Sequence, residues 1–473
     1  MDMPDRVTKI DLLVVGAGPA GVALAIRMVE LGYDVLLVSA QLSKLGHRHE
    51  TLSPTAQEQL RTVGLAAALE DADCVLTPME VRWDTDTAVL RGPVNIIDRQ
   101  KFHCGLLRMA HLARLWIFRG KVEALQQNKP DWQVKLSADG STRALVARFV
   151  VDATGRRARL QPGKTERGHS LIAIHTVWSG RELPDCVRAF SSDEGWLWGA
   201  PVGVTEYLTT LFVDPHGAGG RRRHVLSNLS DRIIATGILG PQYVIDKFTL
   251  YGACDATPHL RNPFGEDGLI RVGEALLAID PISSCGIQVA IQSGIDAAHA
   301  IHTLSLRPWS RASVQSFLSS RANRRQARHA AWAAGYYRSA ALWFQSEFWR
   351  VRADIETPDN DALPVPSALP QPSDYVGLAS STHVGQLPCL VGDLVEERIV
   401  VDHPSLDGAV AFVDGFELMV LLADIPQPRE ALSIVAGWST LIGHAAALKI
   451  FSWCWRSGLI CPAANGVAVS GRR

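Results

Sequence analysis

The stretch Asp11-Leu-Leu-Val-Val-Gly16-Ala-Gly18-Pro19-Ala20-Gly21 constrains this chain more than any other. An apolar run suited to a buried strand leads straight into glycines spaced G-x-G-x-x-G, and an apolar helical pattern follows from Val22 to Glu30. Gly16 allows a tight turn, Gly18 lets the backbone approach a pyrophosphate, and Gly21 lets helix and strand pack closely. Pro19 and Ala20 open the helix, whose free N–H groups attract phosphate. A second apolar strand, Asp34 to Val38, completes the unit, so the sequence predicts a dinucleotide site. Such sites usually place an acid about 20 residues on, for the ribose hydroxyls. Here Val38 is followed by Ser39, Ala40 and Gln41, so neutral ribose contacts are expected at this strand end.

The chain has 473 residues and a net charge of −1, enough length for two or three domains and too little positive charge for a polyanion-binding surface. Its 8 cysteines are scattered, with no C-x-x-C and no Cys/His cluster at metal-ligand spacing, so no metal site is expected. The N-terminus lacks an apolar signal region, and a reduced cytoplasmic setting is expected. The apolar stretch Ala431 to Trp455 carries Ser, Thr, His444 and Lys449 and reads as buried helix, not as a membrane span. Neither nucleic acid nor membrane is therefore an expected partner.

Further along, Arg148-Phe-Val-Val-Asp152-Ala153-Thr154-Gly155 is a strand ending in a glycine turn. Leu269 to Asp280 is another, passing through Pro281 and Gly286 into a helix from about Gln288 to Leu304. Strands opening onto such turns put ligand contacts at the carboxyl edge of a sheet. The fold class expected is α/β: a Rossmann-like nucleotide domain made of residues 1–78, 99–169 and 265–330. A β-sheet domain from 79–98 and 170–264 is inserted in it. Residues 331–375 read as a helical segment followed by a proline-rich linker, and 376–473 as a small α+β module of winged-helix type.

Taken together, GAGPAG, Asp98-Arg99-x-x-Phe102, Asp152-Ala-Thr-Gly155 and Gly273-Glu274…Asp280-Pro281…Gly286 resemble the FAD-dependent group-A monooxygenases and flavin-dependent halogenases, which share the p-hydroxybenzoate hydroxylase fold. The resemblance implies FAD as cofactor. It places Arg99 beside the flavin, and Glu274, Asp280, Gly286 and Ile287 along its ribitol and pyrimidine side, with Ala153, Thr154 and Gly155 nearby. Trp196-Leu-Trp198-Gly-Ala-Pro201 is similar to the halogenase W-x-W-x-I-P motif. The halogenase lysine has no counterpart, because no lysine occurs between Lys44 and Lys101, and halogenation is not expected. His49-Glu50-Thr-Leu-Ser-Pro54, Asp280-Pro-Ile-Ser-Ser-Cys-Gly286 and Glu347-Phe-Trp-Arg-Val-Arg352 most resemble the flavoproteins that hydroxylate a peptidyl tryptophan during tryptophylquinone biogenesis.

That resemblance implies a protein or peptide substrate, possible contact with other maturation enzymes, O2 as co-substrate, and NADH, NADPH or another reductant as transient electron donor. No second G-x-G-x-x-G appears that could form a separate nicotinamide domain. The aromatic ring would be hydroxylated by a flavin C4a-hydroperoxide, with the cofactor carrying the hard chemistry. The candidate proton handlers are His49 and Glu50, expected on a loop beside the flavin, and His175 in the inserted sheet. Trp178, Trp196, Trp198 and Pro201 are expected to wall the substrate pocket. Two other readings stay open: hydroxylation or halogenation of a small aromatic metabolite, and a flavin-binding assembly factor without catalysis.

Overall fold

The computed structural model describes residues 8–39, 49–84, 87–161, 163–215, 226, 228–265, 268–355 and 368–463. Ala40, Gln41 and Lys44 lie outside them. The chain divides into two compact units, residues 1–298 with 329–356, and residues 299–328 with 357–473.

The first unit contains two large sheets. One runs in the order Trp116–Arg119, Val35–Ser39, Lys9–Val15, Ser141–Asp152, Asp131–Ala138, Lys121–Asn128, with Ile270–Arg271 also paired to Ser141–Asp152. Lys9–Val15 is parallel to both its neighbours, Val15 standing beside Val38 on one side and Asp152 on the other. Both faces of such a sheet are covered, so its central strand reads as a continuous apolar run. Leu12, Leu13 and Val14 are fully buried. The glycine turn, Ser39 and the Asp152 turn therefore emerge at one carboxyl edge.

The second sheet runs Val244–Asp255, Ile172–Arg181, Glu206–Val213, Gly195–Pro201, Val187–Ser192, Val75–Arg82, Val89–Asp98, His49–Leu52. The expected strands near Met79–Asp98, Ser170–Trp178, Tyr207–Val213 and Tyr243–Tyr251 are all present in it. His49–Leu52, expected as a loop of the nucleotide domain, is instead its edge strand, antiparallel to Asn95–Asp98. Its backbone groups find their partners there, which the local sequence does not announce.

The second unit draws in residues 299–328 as well as the C-terminal residues. Arg321, Arg324, Arg325 and Arg328 recur at helical spacing in Arg311–Ala341. Asp407 pairs with Arg325 at 2.7 Å and with Arg328, and Asp402 pairs with Arg324 at 2.6 Å. Burial alone would push the Asp407 carboxyl up, but Arg325 and Arg328 outweigh it and hold it far below the usual range. An apolar core of Ile434, Trp438, Ile450 and Phe451 closes helices Ala431–Ile442 and His444–Arg456 on each other. No helix among the described residues is long and apolar enough to cross a membrane.

Candidate functional site

The glycines behave as the motif requires. Gly16 has φ +114°, and a Cβ there would meet the Ala153 carbonyl oxygen at 2.2 Å. A Cβ on Gly21 would meet the Gly16 oxygen at 2.0 Å, so this packing admits only hydrogen. Gly18 differs: a Cβ there meets nothing within 4 Å. It faces open space at the N-terminus of helix Pro19–Glu30, with Pro19 in the first turn. This is the cradle a pyrophosphate would fill, and the residues fit a dinucleotide.

Asp152 organises the neighbouring turn. It is fully buried, and its carboxylate accepts from Thr154 N at 2.9 Å and Thr154 Oγ1 at 2.6 Å. These bonds present Ala153, Thr154 and Gly155 beside the cradle. Ser39 is buried at the end of Val35–Ser39, where the ribose acid usually stands. Gly294 also closes the site and was not foreseen. A Cβ on it would meet the Ala20 oxygen at 2.3 Å, so helix Gly286–Leu306 approaches the cradle closely. A glycine within a helix costs about 1 kcal/mol against alanine, and that cost was the signal available in the sequence. Gly286 opens onto free space at the start of this helix, and Ile287 is buried.

Glu274 pairs with Arg156 at 3.2 Å with its side chain half exposed. Asp280 is buried. One carboxyl oxygen accepts from Ile282 N at 3.0 Å, and the other accepts the Tyr337 hydroxyl at 3.0 Å. Burial raises its pKa, against the lowering effect of these bonds and of Arg352. Asp280 therefore shapes the Pro281–Ser283 turn with its side chain.

At the edge strand, Arg99 begins helix Arg99–Leu112, which Asp98 caps through Gln100 N at 2.8 Å. Arg99 Nη1 lies 3.5 Å from the Glu50 carboxylate, is buried, and makes no well-formed hydrogen bond. Burial and the Arg99 charge lower the His103 pKa to about 4. His49 stands in register with Asp98 on the same strand pair. Glu50 and Arg99 are thus brought together, and an anionic or polar ligand group would satisfy the arginine.

The large sheet separates the residues expected to wall the pocket. Register pairs Trp196 with Phe212, Trp198 with Thr210, and His175 with Thr210, which puts Trp196, Trp198 and His175 on one face. Trp178 and Pro201 both pair with Tyr207 and belong to the other face. Trp178 is 1% exposed and donates to Thr176 and Thr209 hydroxyls at 3.1 and 3.0 Å, so it is a satisfied core residue. On the first face, Trp198 Nε1 donates to Thr51 Oγ1 at 3.1 Å, bringing this face to the strand that carries Glu50. The His175 ring nitrogens are occupied by the Thr210 hydroxyl at 3.0 Å and the Cys254 thiol at 3.4 Å. Every lysine among the described residues is exposed, and no described group of His, Cys, Asp or Glu can hold a metal ion.

The comparisons with known proteins agree with this geometry. The lycopene cyclase protein family model matches residues 11–171, which include the glycine cradle and the Asp152 turn. A tryptophan 2-halogenase of Chondromyces crocatus is 25% identical over 339 residues, 64% of this chain and 62% of the halogenase. The chain therefore spans less than two thirds of the length of that relative. Among solved structures, the peptidyl tryptophan dihydroxylase QhpG, essential for tryptophylquinone cofactor biogenesis, is 25% identical with a TM-score of 0.71, over 95% of this chain and 100% of that one. The halogenase CmlS, 17% identical with a TM-score of 0.75 over 98% of both chains, shares the fold. The chain shares the fold of the flavin-dependent halogenases and monooxygenases and resembles them in sequence. Those relatives and structural neighbours are oxidoreductases.

Proposed function

We propose that this protein is an FAD-dependent monooxygenase that hydroxylates an electron-rich aromatic ring, a tryptophan side chain of a protein or peptide partner. The observation that carries the proposal is the front face of the large sheet. It carries Trp196 and Trp198, the latter tied through Thr51 to the edge strand that also holds Glu50, with no buried lysine among the described residues. A buried lysine is the group halogen transfer would call for. The similarity to QhpG over nearly the whole chain supports a peptidyl substrate.

When bound and reduced, by NADH, NADPH or a partner reductase, the flavin supplies oxygen activated from O2. The chain does the rest. The Gly16–Gly21 cradle and the Asp152 turn hold the cofactor. Trp196 and Trp198 orient the substrate ring and exclude water. Glu50, poised by Arg99, holds or moves the proton released from the ring. His175 is the weaker candidate, because both its nitrogens are engaged within the sheet.

A second reading, halogenation of an aromatic group, is favoured by the halogenases among the curated relatives. One experiment separates the two. The protein is incubated with FAD, NADH, a flavin reductase, oxygen and bromide, together with a tryptophan-containing peptide, and the peptide is analysed by mass spectrometry. Oxygen insertion without bromine is expected, and a brominated peptide would overturn the proposal. Gly18→Val tests the cofactor assignment. Its side chain enters space that is open in the protein, so the fold should survive while FAD binding is lost.

A further inference from the structure

We propose that the second unit carries a reactive site of its own, a serine–histidine pair of Ser381 and His403 that takes an acyl group from a carboxylic ester. The inference does not rest on the flavin reading, because every residue in it belongs to the unit made of residues 299–328 and 357–473. Strand His383–Val391 runs antiparallel to Leu394–Asp402, with His383 opposite Asp402. Ser381 stands just before the first strand and His403 just after the second, so the open end of this hairpin brings them together. Ser381 Oγ lies 2.8 Å from His403 Nε2.

The direction of that bond follows from the other side of the ring. Ser405 Oγ donates to the Ser457 carbonyl oxygen, so its one hydrogen is spent. The same oxygen stands 2.6 Å from His403 Nδ1 and can only accept from it. The Ser405 N–H also lies near Nδ1, at 3.3 Å, too long to compete. The ring proton therefore sits on Nδ1, and Nε2 is the bare nitrogen that accepts from the Ser381 hydroxyl. Burial lowers the His403 pKa most, with Arg324 and His383 acting the same way against Asp402, so the ring is neutral at neutral pH and free to take a proton. Its backbone is held as well: Arg324 donates to the His403 carbonyl at 2.9 Å and to the Asp402 carboxylate at 2.7 Å.

A hydroxyl in hydrogen-bond contact with a base that a third group orients is the arrangement that activates a serine. Burial is graded to match. His403 is 4% exposed, whereas Ser381 is partly open to solvent. The base is shielded and the hydroxyl is within reach of a substrate. Next in the chain, the Thr382 hydroxyl is buried without a hydrogen-bond partner, a donor that the fold leaves unused. On an ester, Ser381 Oγ bonds to the carbonyl carbon while its proton passes to His403 Nε2. The bond from that carbon to the alkoxide oxygen breaks, the alkoxide takes the proton, and an acyl-serine remains. Water then gives a proton to Nε2 and attacks the acyl carbon. The acid leaves as Ser381 recovers its proton, so the sum is ester plus water to acid plus alcohol.

The full-length protein is incubated with a fluorophosphonate probe, which marks activated serines, and separately with p-nitrophenyl acetate. Adducts are placed by fragmentation of the peptides in a mass spectrometer, with exposed Ser380 as the internal reference. We expect a phosphonate on Ser381 and none on Ser380, and an acetyl group on Ser381 that water removes. Ser381→Ala should abolish both adducts and lower nitrophenol release. His403→Gln keeps a polar side chain that takes no proton, and should slow labelling about 100-fold or more, the usual worth of a general base. No adduct on Ser381, equal adducts on Ser380 and Ser381, or wild-type labelling in His403→Gln would each overturn the proposal. If His403→Gln fails to fold, selectivity for Ser381 over Ser380 in the wild type decides the matter. The measurement needs neither FAD nor a reductant, so its failure would leave the flavin reading standing.

Discussion

The two faces of the large sheet are made from the same strands and both carry tryptophan, but they use it differently. On the back face, Trp178 packs with Ile174, Tyr207, Leu211 and Ile233, and its N–H is satisfied by two threonine hydroxyls. On the front face, Trp196 is equally buried, yet its N–H has no well-formed partner, and Trp198 spends its N–H on the edge strand that holds Glu50. A buried polar group that is fully satisfied belongs to the architecture. One left short of a partner marks a place where something else is to be bound or held. The faces therefore teach that the same residue type serves stability on one side and arrangement on the other.

The sharpest way to break that contrast is Trp178→Ala. It should cost about 3–5 kcal/mol, the usual penalty for truncating a buried aromatic, read from urea denaturation. A loss no larger than that of a surface substitution would mean the back face is not core. Trp196→Phe keeps most of the ring area and gives up no complete hydrogen bond. It should cost less than about 1.5 kcal/mol, while the Michaelis constant for an aromatic substrate rises. Should stability collapse and the Michaelis constant stay put, the roles assigned to the two faces would be reversed.

Thr51→Val removes the acceptor of Trp198 Nε1 and should cost about 1 kcal/mol. Its larger effect should be on turnover, since the edge strand with Glu50 loses its tie to the front face. Unchanged turnover in steady-state assays would show that the tie is not needed.

The last contrast is in pH dependence, because the buried carboxyl of Asp280 stands beside the front-face cluster. Burial raises its pKa in the folded protein above the ordinary 3.8, so the folded state favours the acid form. Its contribution to stability is present below the unfolded value and is lost as pH rises through the raised folded value. Asp280→Asn cannot ionise. Relative to it, the wild type should therefore lose stability on going from acid to neutral pH, measured by urea unfolding at several pH values. A stability difference that is flat with pH would remove Asp280 as a titrating group.

Much of the cofactor end was legible without a structure. Gly16, Gly18, Gly21, the Asp152 turn and the Gly286 helix start are local features, each defined by residues within one turn or strand, and all emerge where the spacing predicted. The α/β class followed from the same alternation of apolar strands and helices. The parity of one strand even contained half of the pocket result. Trp196 and Trp198 are two residues apart and must share a face, whereas Pro201, an odd number away, must not.

What parity within a strand cannot supply is the register between strands or the direction in which a face looks. Tertiary pairing alone sent Trp178 to the back face and added His49–Leu52 to the inserted sheet. It also tied Tyr337 to Asp280 and gathered residues 299–328 into a unit with the C-terminal residues. Each of these depends on partners tens of residues apart, brought together by packing and directional hydrogen bonds. The sequence by itself determined the glycine cradle at the sheet edge, because that turn is written in a few contiguous residues. Only the tertiary structure decided which tryptophans share a face of the large sheet, because that is a property of register and packing.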